Sequence, residues 1–241
     1  MAAAAPADGY SVENAQAFDW ASVSGVLEPE RKALLDECVV GPRVLDAGCG
    51  GGGWVDYLTG RGFDAVGVDN HPQFLELATQ AGRRGSFLTA DLTAGLPFPD
   101  RSFDTTVCFD VLEHLDDVAA IRELARVTDR RLILAVPQEA GWLLRHKLVF
   151  PTYRDPTHLR YYTEASLRDL VDRVRPLAVR VVGQQTASVR QLARESLRPR
   201  GRTAWLTAVY RKAFDFLMMR CDDRLLHMNF AAVVDLRPSA G

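Results

Sequence analysis

The sequence predicts an α/β protein built on a doubly wound sheet of seven strands, mostly parallel with the last strand antiparallel. Three observations carry that expectation. Short apolar runs alternate with amphipathic stretches from about residue 43 to residue 174, the pattern of a parallel sheet with helices on both faces. The first apolar run, Val44-Leu45-Asp46-Ala47, passes through Gly48-Cys49-Gly50-Gly51-Gly52-Gly53 into a helical pattern. An acid stands at or just past the end of four different strands, as Asp46, Asp69, Asp91 and Asp110. One or two such acids fit helix capping; four on one rim fit a ligand better, because such sheets bind at the carboxyl ends of their strands.

Taken in order, residues 1 to about 10 are rich in Ala and Pro, and chain ends of this kind are commonly mobile. Tyr10, Phe18 and Trp20 form an aromatic cluster without helix or strand period, read as packing against the sheet edge or as a cover for the site. A helix is expected from Glu28-Pro29-Glu30 through Leu34, Leu35 and Cys38, stopped by Gly41-Pro42, since proline suits a first turn and glycine a helix end. Strands are expected near 43–47, 64–69, 85–89, 104–109 and 131–136, and helices near 53–60, 71–82, 116–127 and 163–174. Val44, Leu45, Val66, Val68 and Leu132-Ile133-Leu134 suit strands buried on both faces. Thr163 before Glu164 reads as an N-cap. Two last strands near 177–184 and 229–236 enclose a helical insertion at about 186–228. The chain is thus organised as an N-terminal segment and helix, 1–40, followed by one domain, 41–241.

Composition bounds the function. Of 241 residues 47% are hydrophobic and 25% charged, an ordinary globular balance. A formal charge of −2 gives no global attraction to nucleic acid or to an anionic membrane. Cys38, Cys49, Cys108 and Cys221 lack C-x-x-C spacing and read as reduced thiols of a cytoplasmic protein rather than a disulfide frame or zinc site. No signal-peptide pattern and no membrane-length apolar run is found. Two basic stretches qualify this. The Trp142–Tyr153 region mixes aromatic, leucine and basic residues, as a substrate wall or a membrane-surface contact would. Residues 186–227 hold nine Arg/Lys against four Asp/Glu, which suits a solvated face, an anionic or lipid-linked acceptor, or a homodimer interface.

The glycine loop alone is ambiguous, because Gly48-x-Gly50-x-x-Gly53 also satisfies the dinucleotide fingerprint. Asp46 tilts the balance: a carboxylate two residues before the first glycine repels a pyrophosphate and suits a ligand carrying an ammonium and a sulfonium. Asp69, closing Gly67-Val68-Asp69, can accept both hydroxyls of a ribose. Further on, Leu96-Pro97-Phe98-Pro99-Asp100-Arg101-Ser102-Phe103-Asp104 sets a rigid approach to the fourth strand.

These three motifs, at this spacing, resemble the small-molecule (type 11-like) branch of the class I S-adenosylmethionine-dependent methyltransferases, over about residues 40 to 182. The resemblance implies a Rossmann-like fold with S-adenosylmethionine (SAM) as cofactor. It places Asp46, Gly48, Cys49 and Gly50 around the methionine part, Asp69 and Asn70 at the ribose, and Asp91 and Leu92 at the adenine. Phe109 would then line the methionine end. His114, in Asp110-x-x-Glu113-His114, and His158, upstream of Tyr162-Thr163, are the candidate bases, imidazole being suited to proton removal near neutrality. Both also have bland readings, as capping or core histidines. No metal is expected, although Asp110, Glu113, His114 and His158 resemble an E-x-x-E-H…H metal site with Asp in the first place. The expected reaction is methylation of a small-molecule hydroxyl, since no N-P-P-Y-type block follows the fourth strand. A lipid-linked or nucleic-acid acceptor methylated with a divalent metal, a nicotinamide oxidoreductase and a non-catalytic SAM-binding protein are the rivals.

Overall fold

A computed structural model describes residues 12, 27–139, 157–188, 209, 212, 213 and 225–237. Seven strands, β1 (Arg43–Ala47), β2 (Asp64–Asp69), β3 (Ser86–Thr89), β4 (Phe103–Phe109), β5 (Thr128–Pro137), β6 (Ala178–Ser188) and β7 (Leu225–Asp235), form one sheet in the order β3-β2-β1-β4-β5-β7-β6. Strand β7 is antiparallel to both neighbours and every other pairing is parallel. The order reverses between β1 and β4, and there the crevice of a doubly wound sheet opens.

Among the described residues five helices cover the faces: α1 (Pro29–Cys38), α2 (Gly53–Gly60), α3 (Pro72–Gln80), α4 (Asp117–Val127) and α5 (Glu164–Asp172). Their starts are chemically marked. Pro29 and Pro72 occupy first turns, Asp116 accepts from the N–H groups of Val118 and Ala119, and Thr163 with Ser166 makes a reciprocal capping box. On α4 the buried residues Ala120, Ile121, Leu124 and Val127 recur at helical spacing. They pack with Leu45, Cys108, Leu132 and Leu134 on one face of the sheet. Each such large side chain contributes about 1.5–3 kcal/mol on burial. Alternation sends Val44, Val107, Phe109 and Ile133 to the other face, against Leu34, Leu35, Trp54 and Leu58 of α1 and α2.

The expected elements are present, with shifted ends. Strands β6 and β7 run further than the period indicates, pairing as far as Ser188 with Leu225. Residues 186–188 and 225–228, read from sequence as insertion, therefore belong to a ribbon that continues past the last β5 pair, Pro137 with Asn229. The aromatic cluster at Tyr10, Phe18 and Trp20, the Trp142–Tyr153 stretch and nearly all of the insertion lie outside the described residues. Among the described residues no helix is long and apolar enough to cross a membrane.

Candidate active site

The glycine loop hangs from β2. The N–H groups of Gly48 and Cys49 both donate to the Val68 carbonyl, at 2.8 and 2.9 Å. The N–H of Gly50 donates to Asp69 Oδ2 at 3.0 Å. Gly48 has φ +80°, and a Cβ there would fall on the side chain of Val111. Only glycine fits where the loop meets the segment after β4. Gly67, paired across from Asp46, is equally constrained, since a Cβ there would meet Cys49 Sγ and Val55.

The two acids of β1 and β2 are buried, Asp46 at 2% and Asp69 at 4% exposure. Asp69 accepts from Gly50 and, through Oδ1, from the His71 N–H at 2.9 Å. Burial raises its carboxyl above the usual range despite those donors. Asp46 is more extreme. Its Oδ2 has no hydrogen-bond partner, and burial, reinforced by the charge of Asp69, pushes it up to about 7. A buried carboxylate oxygen without a donor costs free energy, and a cationic ligand group relieves that cost.

Beside them lies an open cleft of about 160 Å³. Gly48, Val68, Asp69, Asn70, His71, Ala90, Asp91 and Leu92 form one side, and Val111, His114, Leu115 and Thr157 the other. Asp91 lines the cleft while its Oδ1 accepts from the Thr93 hydroxyl and N–H, both at 2.7 Å, so the turn-capping reading of this acid holds alongside its place at the site. Those bonds hold its carboxyl below the usual range.

Across the cleft two histidines meet. The rings of His114 and His158 sit edge to face, 4.6 Å between centroids. Each Nε2 lies close to Glu113 Oε1, at 4.0 Å for His114 and 3.9 Å for His158. Thr157 Oγ1 is 2.9 Å from His114 Nδ1. The 3₁₀ turn Leu112–His114 supplies two of the three side chains, and a Leu159 N–H to Glu113 carbonyl bond of 2.8 Å docks the His158 segment onto it. Ligand atoms of Glu113, His114 and His158 all fall within 4.8 Å of one another.

The structure thus brings Gly48, Asp69, Asn70, Asp91, Leu92 and His114 to one cleft, with His158 behind His114. Asp46 and Gly50 are not in the cleft wall but beneath and beside it. Two more of the expected cofactor residues stand outside the cleft's lining. Cys49 and Phe109 do not line the cleft. Cys49 turns under its own loop toward Gly67, and Phe109 packs edge-on to Trp54 with the guanidinium of Arg31 5.0 Å above its ring. The cause is strand alternation: Phe109 shares the α1–α2 face with Val107, one residue out of phase with Cys108 on the α4–α5 face. Asp110 stands apart from the histidine cluster and is held by Arg31 in a fork of 2.6 and 2.9 Å. Sequence reasoning missed His71, Val111, Thr157 and Arg31. For His71 a signal existed in its position before Pro72, directly after the ribose acid. For Arg31 none did, because its partner is 79 residues away.

The fold is the one found in solved SAM-dependent methyltransferases. Residues 45–135 match the family described as a methyltransferase domain. Among curated proteins it is 32% identical over 145 residues to the uncharacterized methyltransferase YcgJ of Bacillus subtilis, covering 55% of each chain. It is 35% identical over 88 residues to a ubiquinone biosynthesis O-methyltransferase of Xylella fastidiosa, covering 34% of this chain and 35% of that one. The chain spans about half the length, or less, of these curated relatives. Among solved structures a SAM-dependent methyltransferase from Archaeoglobus fulgidus shares the fold with a TM-score of 0.59 at 18% identity, over 86% of this chain and 93% of that one.

Proposed function

We propose that this protein transfers a methyl group from SAM to a hydroxyl of a small molecule. One observation carries the reading: a single cleft holds the buried acid Asp69 on one wall and an imidazole, His114, on the other, with His158 edge to face behind it. The residues present fit the cofactor, because Asp46 offers a buried acceptor without a donor and Asp69 retains lone pairs for a ribose beyond its two backbone donors. Asp46 would hold the cofactor's ammonium, Asp69 its ribose and Asp91 its adenine amine. Bound there, SAM supplies a methyl group activated by its sulfonium, and positioning does most of the remaining work. His114 and His158 take the acceptor's proton, with Glu113 at 3.9–4.0 Å stabilising the imidazolium that results. The hydroxyl preference is supported by this base pair and by the name of the Xylella relative. The test is transfer of labelled methyl from SAM to a panel of phenols and catechols, beside calorimetric titration with SAM and with NAD. Binding of NAD in place of SAM, or SAM binding with no transfer to any hydroxyl, would defeat it.

A second reading is favoured by the convergence of Glu113, His114 and His158. Two imidazoles and a carboxylate are a donor set for a divalent transition metal, which would lower the pKa of a bound acceptor hydroxyl. Asp110, engaged by Arg31, would not be a ligand. Transfer abolished by EDTA and restored by added Mn²⁺ or Zn²⁺ would select this reading over the imidazole base.

A further inference from the structure

We infer that Arg31 is a positioning residue for the histidine cluster, acting through Asp110; this rests on the reading of His114 and His158 as the acid–base pair. Arg31 comes from α1, remote in sequence, yet its side chain is 2% exposed while that of Asp110 is 43% exposed. Nη1 and Nη2 clasp the two oxygens of Asp110, Phe109 lies under the guanidinium plane, and the carboxamide of buried Asn229 on β7 is 3.0 Å from Nη2. The cation is fixed on three sides by β4, β7 and the carboxylate it holds.

What it holds is a bend. Asp110 has φ +55°, one of four non-glycine residues in the left-handed region among those described. Its N–H is tied to the Ala135 carbonyl at 2.9 Å. The chain then turns at once into the 3₁₀ segment carrying Glu113 and His114, whose N–H returns to Val111 at 3.0 Å. The direction in which that segment leaves the sheet is therefore set at Asp110, and the His158 segment is docked on it. Aspartate tolerates this conformation better than most side chains but does not prefer it. A bidentate guanidinium, rigid and planar, is the group best suited to keep it there. A lysine keeps the charge and loses the fork.

Glycine makes this testable, because it takes φ +55° without steric cost. The variants are Arg31→Met, Arg31→Lys, Asp110→Gly and the double variant Arg31→Met/Asp110→Gly, in the full chain. The readout is the imaging of each imidazole by its ¹⁵N–¹H NMR cross-peaks, with His71 as internal control and SAM titration in parallel. In Arg31→Met the His114 and His158 cross-peaks move well beyond their linewidths while those of His71 stay, SAM affinity stays within about twofold, and kcat for methyl transfer falls at least about tenfold. Arg31→Lys lies between Arg31→Met and the natural protein. The double variant returns the histidine cross-peaks toward their natural positions. Should Arg31→Met not fold, Arg31→Lys carries the same comparison. Histidine signals that stay put while only the melting temperature falls would overturn the inference and leave Arg31 as an anchor for α1, as would a double variant no nearer the natural spectrum than Arg31→Met. Failure of SAM to bind the natural protein would instead sink the functional reading, and the cross-peaks would still report on Arg31.

Discussion

The two edges of the sheet treat their acids in opposite ways. At the edge where β1, β4 and β5 begin, acids are paired with arginine: Asp104 with Arg43 at 2.9 Å, Asp235 with Arg131 at 2.6 Å, Asp129 with Arg237 at 2.8 Å. Arg43 holds the Asp104 carboxyl below the usual range. At the edge where those strands end, Asp46 and Asp69 are more deeply buried or equally so, no arginine meets them among the described residues, and both carboxyls are raised. An acid with an arginine partner is finished as structure. An acid buried without one costs stability, and an enzyme tolerates that cost where a positively charged ligand will relieve it. Asp110 is the instructive exception, at the ligand edge but with an arginine, and it supports the bend rather than the cleft.

The contrast can be broken in four places, in descending order of effect. Replacing His158 by Ala lowers kcat for methyl transfer by about 10²–10⁴ with SAM affinity unchanged; a turnover number near that of the natural protein would remove the imidazole from the chemistry. The second concerns pH. An Asp46 carboxyl raised from 3.8 to about 7 binds its proton more tightly folded than unfolded. Its stabilisation is complete below the unfolded value and is lost as pH rises through the folded one. The ligand-free protein therefore loses stability from about pH 4 to pH 7, and Asp46→Asn flattens that slope, gaining roughly 2–4 kcal/mol at pH 8. Denaturant melts at several pH values check this, and parallel slopes in the two proteins would refute it. In the same window SAM binding tightens with rising pH in the natural protein and not in the variant. Third, Asp69→Ala weakens SAM binding by about 1.5–3 kcal/mol, as loss of a charged hydrogen-bond acceptor does; unchanged calorimetric affinity would defeat the ribose assignment. Last and smallest, Asp104→Asn at the opposite edge costs about 1 kcal/mol of stability, since its partner Arg43 is half-exposed and screened, and leaves SAM affinity where it was.

Much of the fold was legible because it is written locally. Strand and helix periods, the prolines of α1 and α3 and the Thr163 cap each depend on a few neighbouring residues, and β1, β2 and α2 begin and end where the pattern places them. The acids at the strand ends were legible for the same reason. What was not legible depends on partners distant in sequence or on a phase of one residue. The extra length of β6 and β7 comes from their pairing with each other across some forty residues. Phe109 was assigned to the cleft because it ends β4, but the alternation of buried residues aims it at α1 and α2 instead. Asp110 read as one of four equivalent acids until Arg31, 79 residues upstream, arrived beside it.

Cys38, Cys49 and Cys108 are all buried, and burial lifts each thiol above its ordinary pKa, the last two far above. Of four cysteines in the chain, three are thus closed to alkylating reagents as long as the sheet is intact. Uptake of more than one equivalent of label per chain then requires the core to open, so reagent consumption over time is a direct count of opening events, obtained without any reference to catalysis.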